Sequence, residues 1–364
     1  MKKTVLHLQL LPLLSGVQRV SLNEFKKNTH KYKFILICQS KGDLTTECDK
    51  LNIENYTIRN LQRDISPLND LISIVKLIKL FIRLKPDIIH THSSKTGILG
   101  RISAKISGCK KVIHTVHGFS FESTSNILLK FIYYIIEYFS KYFTNNLIVL
   151  NNNDYSIAIN KLKYNPSKVL LIPNGIDLDQ FSPKNISFSE KIRVITVCRL
   201  WHQKDPLTLV KSAIEICKAK DNIEFVLLGD GPYFKMIENL IIQNSLTNKI
   251  KLLGWSDNIA EELRKSHLFV LSSLHEGLPL SILEAMGCGL ACAVTNIPGN
   301  NNLVINNYNG LLFETRNVTE LTNIITKYYV NRELLKKHAS NSRKLAVDKY
   351  DLNKRNKQIF ELYN

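Results

Sequence analysis

Short apolar runs alternate with amphipathic stretches along most of this chain. Val5–Leu8, Phe34–Cys38, Ile88–Thr91, Val112–Val116 and Leu147–Leu150 have the length and β-branched content of buried strands. Between them Val17–Lys27, Leu68–Leu84, Gly97–Ile106 and Ile127–Phe143 carry apolar residues at helical spacing. Pro173-Asn174-Gly175 marks a turn, and from there to about Glu190 no strong period appears. A second series then begins, with strands at Val194–Val197, Phe225–Leu228, Ile250–Leu253, Phe269–Leu271, Ala293–Val294 and Leu311–Phe313. Its helices include Leu207–Lys218, Tyr233–Gln243, Ile259–Lys265 and Leu280–Met286, and the chain from Thr319 onward reads as helical and highly charged. Strand–helix alternation predicts an α/β fold with parallel, doubly wound sheets. The expected plan is a Rossmann-like domain over 1–175, a linker over 176–190 and a second Rossmann-like domain over 191–345. A C-terminal helix over 346–364 has the option of crossing back to the first domain. Facing strand ends would form a cleft between the two halves.

The loops after the strands hold the candidate chemistry. Glu276-Gly277-Leu278-Pro279-Leu280-Ser281-Ile282-Leu283-Glu284 follows a buried strand, with Pro279 opening a helix. The amides of Leu280 and Ser281 then suit an anion, since the first N–H groups of a helix lack partners and carry its positive dipole end. Glu276 in the loop and Glu284 on the helix can accept hydroxyls. Glu284 shares its face with Leu280, Gly287 and Cys288, none of which can pair a charge, so a bound partner would offset the cost of covering it. Arg199 and Lys204 flank Leu200-Trp201-His202-Gln203 after the first strand of the second series, where two cations can neutralise a diphosphate. Gly229-Asp230-Gly231-Pro232 gives the next strand a sharp exit. In the first series, Gly16 lies in the loop after strand one with Arg19 a turn beyond, and His117 ends the fourth strand before Gly118. His90 and His92 lie on one strand face, two residues apart. The sequence offers them no third ligand, so neither a metal nor a cofactor is expected. Asp177-Leu178-Asp179 falls in the linker and reads as surface.

Composition changes the picture in three ways. The net charge is +18, and residues 1–175 carry 25 Lys and Arg against 11 Asp and Glu. A basic first half suits a polyanionic partner or a solvated surface. The seven cysteines are scattered, without paired CxxC motifs, which fits reduced thiols rather than a zinc site. Lys2-Lys3 before an apolar stretch imitates a signal peptide, but His7 and Gln9 interrupt the run and a first strand is expected there. No run approaches the roughly 20 apolar residues that a membrane span needs. The helix Ile127–Phe143 carries Phe131, Tyr133, Tyr134, Tyr138, Phe139, Tyr142 and Phe143 on nearly every face. It is either wedged into the core or, with Lys130 and Lys141, rests on an anionic membrane surface assisted by Lys76, Lys79, Arg83 and Lys85.

These segments, ordered along both halves, make the chain similar to the glycosyltransferases of family 4, which have the GT-B fold. The resemblance is carried by Ser15-Gly16-Val17-Gln18-Arg19, by His90 to Gly97, by Thr115-Val116-His117-Gly118-Phe119 and by Pro173-Asn174-Gly175-Ile176-Asp177. In the second half it is carried by Arg199 to Pro206, Gly229 to Pro232 and Glu276 to Glu284. It implies a retaining transfer of a sugar from a nucleotide-diphosphate donor, usually without metal. Arg199 and Lys204 would hold the diphosphate, Glu284 the ribose and Glu276 the donor sugar. Gly16 would face the diphosphate and His117 the donor sugar near its reacting carbon. The chain departs from the family pattern at Ser15, Gln18 and Asn302. The segment His90 to Gly97 resembles enzymes that build O-antigen or capsule on a polyprenyl diphosphate. That implies a lipid-linked glycan acceptor and a peripheral place on the cytoplasmic face of the cell membrane.

Two rival readings are separable. A nucleotide-sugar 2-epimerase shares this architecture but acts without an acceptor. A nucleic-acid-binding protein, suggested by charge alone, requires a basic stripe with interleaved aromatics. The ordered strand-end motifs argue against nucleic acid.

Overall fold

The computed structural model describes residues 2–124, 126–184, 191–256 and 258–364, so positions 185–190 of the expected linker lie outside the described residues. Two compact units form, one from 1–173 with 356–364, the other from 174–355.

The first unit holds a seven-stranded parallel sheet. Its strands are β1 (Lys3–Leu8), β2 (Tyr32–Cys38), β3 (Glu54–Thr57), β4 (Ile88–His92), β5 (Lys111–Thr115), β6 (Asn146–Val149) and β7 (Val169–Leu171), in the order β3-β2-β1-β4-β5-β6-β7. The segment that imitates a signal peptide is thus β1. Every residue of β4 is buried, as a central strand covered by helices on both faces must be. Expectation missed β3, β7 and the helix Asp43–Lys50. The sheet-edge strand β3 is half-exposed and polar, β7 has three residues, and the helix is polar, so none carries a strong apolar period. Ile359 and Tyr363 from the C-terminal helix pack with Val5, Phe25, Phe34 and Ile88 in this unit's core.

The second unit holds a six-stranded parallel sheet: β8 (Ile192–Val197), β9 (Ile223–Leu228), β10 (Ile250–Gly254), β11 (Leu268–Leu271), β12 (Ala291–Thr295) and β13 (Gly310–Phe313), ordered β10-β9-β8-β11-β12-β13. Tyr328, Leu335 and Ala339 from the C-terminal helices join its core.

Both sheets reverse direction once. The chain runs outward from β1 to β3, then returns to lay β4 on the other side of β1, and β8 to β11 repeats the move. Loops leaving the carboxyl ends of strands beside such a reversal diverge to opposite faces and leave a crevice for ligands. In the second unit these loops follow β8 and β11, and in the first they follow β1 and β4.

Candidate functional site

In the second unit the sequence-predicted residues converge on that reversal. Lys204 follows β8 in a short turn over His202–Lys204, and Glu276 follows β11. Their side chains form an ion pair, both largely buried. The same Glu276 oxygen accepts from Ser273 Oγ at 2.7 Å. The two loops are also stitched through the backbone. Leu274 N–H donates to Gln203 O at 2.8 Å, and Gln203 Nε2 donates to His275 O at 2.9 Å. Ser272 Oγ donates to Asp205 O at 2.8 Å. Ser272 and Ser273 were not anticipated, because only the pairing of β8 with β11 brings them beside Lys204.

Arg199 lies on the other arm of the β8 loop, its guanidinium 5.0 Å from the centre of the Trp201 ring. Trp201 itself is 40% exposed. The glycine loop after β9 supports this arm. Leu200 N–H donates to Asp230 O at 2.9 Å, and a side chain at Gly229 (φ +143°) would put Cβ 1.9 Å from Cys198 O. Only glycine allows that approach.

The helix Leu280–Gly287 starts one residue after Pro279, which is extended and precedes the helix rather than opening it. No side chain caps this end, so the first amides, including those of Leu280 and Ser281, keep their donor capacity. Asn174, from the Pro173-Asn174-Gly175 turn, donates to Leu278 O at 2.8 Å and pins the loop from below. Gly299, at φ +89°, abuts it from the next loop, where a Cβ would lie 2.4 Å from Gly277 O. Glu284 is buried on the helix, 5% exposed. It has an interaction partner within the chain, so the sequence argument from an unpaired charge does not carry and its position does. Asp177 accepts from the amides of Asp179 and Gln180, the self-contained turn expected of a surface segment.

In the first unit, Gly16 is the exposed first residue of the helix Gly16–Asn28, not a loop residue as expected. Ser15 precedes it and bonds Gln18. His117 lies two residues past β5, half-buried, beside Gly118 at φ +99°. The sequence reading found no third partner for His90 and His92, and the structure corrects this. Register pairs His7 of β1 with His90 of β4, and His7, His90 and His92 each offer a nitrogen within 4.8 Å of the others, all buried. His90 is already bonded at both nitrogens, to Tyr363 and Thr115 at 2.7 Å each. His7 Nδ1 and His92 Nε2 are 3.0 Å apart, an N–H···N hydrogen bond. The donor set suits a metal, but hydrogen bonds already occupy these nitrogens.

The aromatic helix divides. Tyr134 and Tyr138 pack into the unit, whereas Ile127 is 84% exposed and Leu128, Phe131, Phe139 and Tyr142 are exposed with it. Leu68, Leu71, Val75 and Ile82 of the helix Pro67–Leu84 are exposed too. Among the described residues no helix is long and apolar enough to cross a membrane. All seven cysteines are free.

Comparison with known proteins follows this geometry. Residues 19–180 match the family model described as Glycosyltransferase Family 4, and residues 178–345 match Glycosyl transferases group 1. The chain is 40% identical to an Escherichia coli UDP-Gal:alpha-D-GlcNAc-diphosphoundecaprenol alpha-1,3-galactosyltransferase, covering all of this chain and 97% of that one. It is 26% identical to a Campylobacter jejuni N,N'-diacetylbacillosaminyl-diphospho-undecaprenol alpha-1,3-N-acetylgalactosaminyltransferase over 91% of this chain and 90% of that one. Among solved structures, Anabaena HepE in complex with UDP and glucose superposes with a TM-score of 0.83 at 19% identity over 98% of each chain. That likeness bears on the fold, and the two Rossmann-like units are those of the GT-B class.

Proposed function

The chain belongs to glycosyltransferase family 4, and from that premise we propose that it transfers a hexose from a UDP-sugar to a polyprenyl-diphosphate-linked glycan, with retention of configuration, in surface polysaccharide synthesis. The observation that carries the reading is the 40% identity along the whole chain to an enzyme of that substrate class. The geometry after β8 and β11 supports it.

Residues 1–175 form the acceptor domain in this reading and 191–345 the sugar-nucleotide domain. Arg199, Lys204 and the amides of Leu280 and Ser281 bind the diphosphate, and Gly16 is assigned to the same group. Glu284 takes the ribose diol, Glu276 the hexose hydroxyls, and His117 the donor sugar near its anomeric carbon. As the sugar–phosphate bond breaks, charge grows on the diphosphate, and cations and amides already aimed at it stabilise the transition state more than the ground state. The leaving phosphate takes the acceptor hydroxyl's proton on the same face, so no protein nucleophile is needed. The reaction then requires no metal from this chain's residues.

The acceptor is membrane-bound, and the exposed apolar and basic helices of the first unit suit an anionic surface on the cytoplasmic face of the cell membrane. Transfer is tested with UDP-galactose and a GlcNAc-diphosphoprenol, then with other UDP- and GDP-sugars. A lipid-linked disaccharide is the expected product, Glu284→Ala raises the donor KM, and His117→Ala chiefly lowers kcat. Conversion of the donor alone into an epimer, without transfer, overturns the reading in favour of a 2-epimerase.

A further inference from the structure

The chain has two tryptophans, Trp201 and Trp255, and neither is in a core. Trp201 is 40% exposed in the loop after β8, and Trp255 is 56% exposed directly after β10. One exposed indole is ordinary on a protein surface. Two on either side of a single loop are a patch.

The strand order β10-β9-β8 sets the loops leaving these strands side by side, with Gly229-Asp230-Gly231-Pro232 in the middle. Trp201 rests against the middle loop from one side. A Cβ at Gly231 would lie 2.6 Å from Trp201 Cδ1, so a side chain there would push the ring away. Trp255 adjoins the same loop from the other side, because the preceding Gly254 O accepts from Gly229 N–H at 2.7 Å. Asp230 Oδ1 accepts from Gly231 N–H at 2.7 Å, which stiffens the loop from within. Between the two tryptophans the chain therefore supplies mostly peptide.

Charge and helix packing place this edge relative to the donor. The Arg199 guanidinium lies over the Trp201 ring, so the cation assigned to the diphosphate and the indole form one stacked pair. Glu284, assigned to the ribose, sits on the helix Leu280–Gly287. That helix packs against Ile259–Arg264, the helix that follows Trp255. In the donor reading the sugar goes to Glu276 after β11 and the diphosphate to the loop after β8. Sugar and nucleoside sit at opposite ends of a diphosphate. The loops after β9 and β10 lie on the side of β8 away from β11, and the base falls there.

We propose that Trp201 and Trp255 hold the donor's nucleobase over the Gly229-Asp230-Gly231 loop, with Trp201 as the stacking face. The inference rests on the donor reading and adds binding residues to it. An aromatic ring stacks on any base, since every base has a π-face, so Trp201 contributes affinity for UDP and GDP alike.

The presence of only two indoles makes the test direct. The probes are UDP and inorganic pyrophosphate, followed by calorimetry and by tryptophan fluorescence. UDP is expected to quench the emission of the unaltered protein and of Trp255→Phe, in which Trp201 is the remaining indole. Pyrophosphate, which has no base, leaves both emissions nearly unchanged. Trp201→Ala weakens UDP binding about fivefold to a hundredfold, the scale of a lost stacking partner. Its affinity for pyrophosphate and its melting temperature without ligand stay as they were, and Trp201→Phe keeps most of the UDP affinity. Unchanged UDP affinity in both Trp201→Ala and Trp255→Ala overturns the inference. So does an equal loss for UDP and pyrophosphate, because the indole then serves only to hold Arg199. An unaltered protein that binds neither UDP nor GDP overturns the donor reading itself, and the inference with it.

Discussion

Lys204 and Glu276, 72 residues apart in sequence, form an ion pair between the loops that leave β8 and β11. A cation assigned to the diphosphate and a carboxylate assigned to the sugar therefore share one electrostatic unit. Glu276 fixes the ammonium in place, and Ser273 fixes Glu276. Removing either partner leaves the other largely buried without its counter-charge, which costs more than the pair is worth.

The two residues should accordingly fail together. Lys204→Ala is expected to lower kcat/KM for the UDP-sugar by about 100-fold to 1,000-fold, the range for a lost donor at a developing oxyanion. Glu276→Gln should lower kcat/KM as well, because Lys204 loses the carboxylate that holds its ammonium in place. In the double variant, steady-state kinetics should show a loss well short of the product of the single losses, since residues that act as a unit are non-additive. Multiplicative losses would mean the pair is not functional.

Gly299 is a structural support for that unit. Replacing it with alanine adds a Cβ against Gly277 O and places a side chain at φ +89°, a conformation costing about 1–3 kcal/mol. Gly299→Ala should lower the melting temperature and raise the donor KM together, through displacement of the Glu276–Gly277 segment. Gly108→Ala, at φ +77° with open space around it, is the control, with a smaller loss of stability and unchanged kinetics.

Stability should fall as the solution is acidified. His92 and His114 are buried neutral, each with a pKa pushed well below its ordinary value near 6.5 mainly by burial. Such groups bind protons in the unfolded chain but not in the native one. Their contribution is present above the unfolded value and is lost as pH falls, about 1.4 kcal/mol per pH unit for each ring. Asp154 opposes this. Burial raises its pKa to about 6, so its contribution is largest at low pH and is lost as pH rises through that value. Two rings outweigh one carboxyl, and denaturant titrations should show stability decreasing from pH 6.5 to pH 5. His92→Leu should flatten that slope.

Vesicle binding should depend on the exposed helix Ile127–Ser140. Phe131, 61% exposed, can be replaced by glutamate without opening the core. In flotation with anionic vesicles at low salt, Phe131→Glu should bind more weakly than the unaltered protein. Turnover of a water-soluble, short-chain acceptor should be unaffected. Equal binding by both proteins would remove this helix from the membrane contact.

Much of the scaffold was legible because burial in a parallel sheet demands short continuous apolar runs, and Ile88-Ile89 or Leu268 to Leu271 have nothing else to do. The Glu276 to Glu284 segment and the Arg199 to Lys204 loop were equally visible, since strand-end loops announce themselves by an abrupt change from apolar to glycine, proline and charge. What escaped were β3 and β7, which bury too little to need such a run. His7 escaped for a different reason. In the sequence it is a polar interruption of an apolar strand, and nothing local says that His90 will be its neighbour.

The amino-acid order alone determined the alternation of elements, the doubly wound character of both halves and the loops that carry charge, because each follows from periodicity within a few residues. Only tertiary structure decided which loops meet. Parallel strands pair across long connections, and the return of β4 beside β1 and of β11 beside β8 is a choice of strand order that local spacing does not encode. That choice puts Lys204 on Glu276 and lines His117 up behind His92, His7, Tyr363 and Glu24.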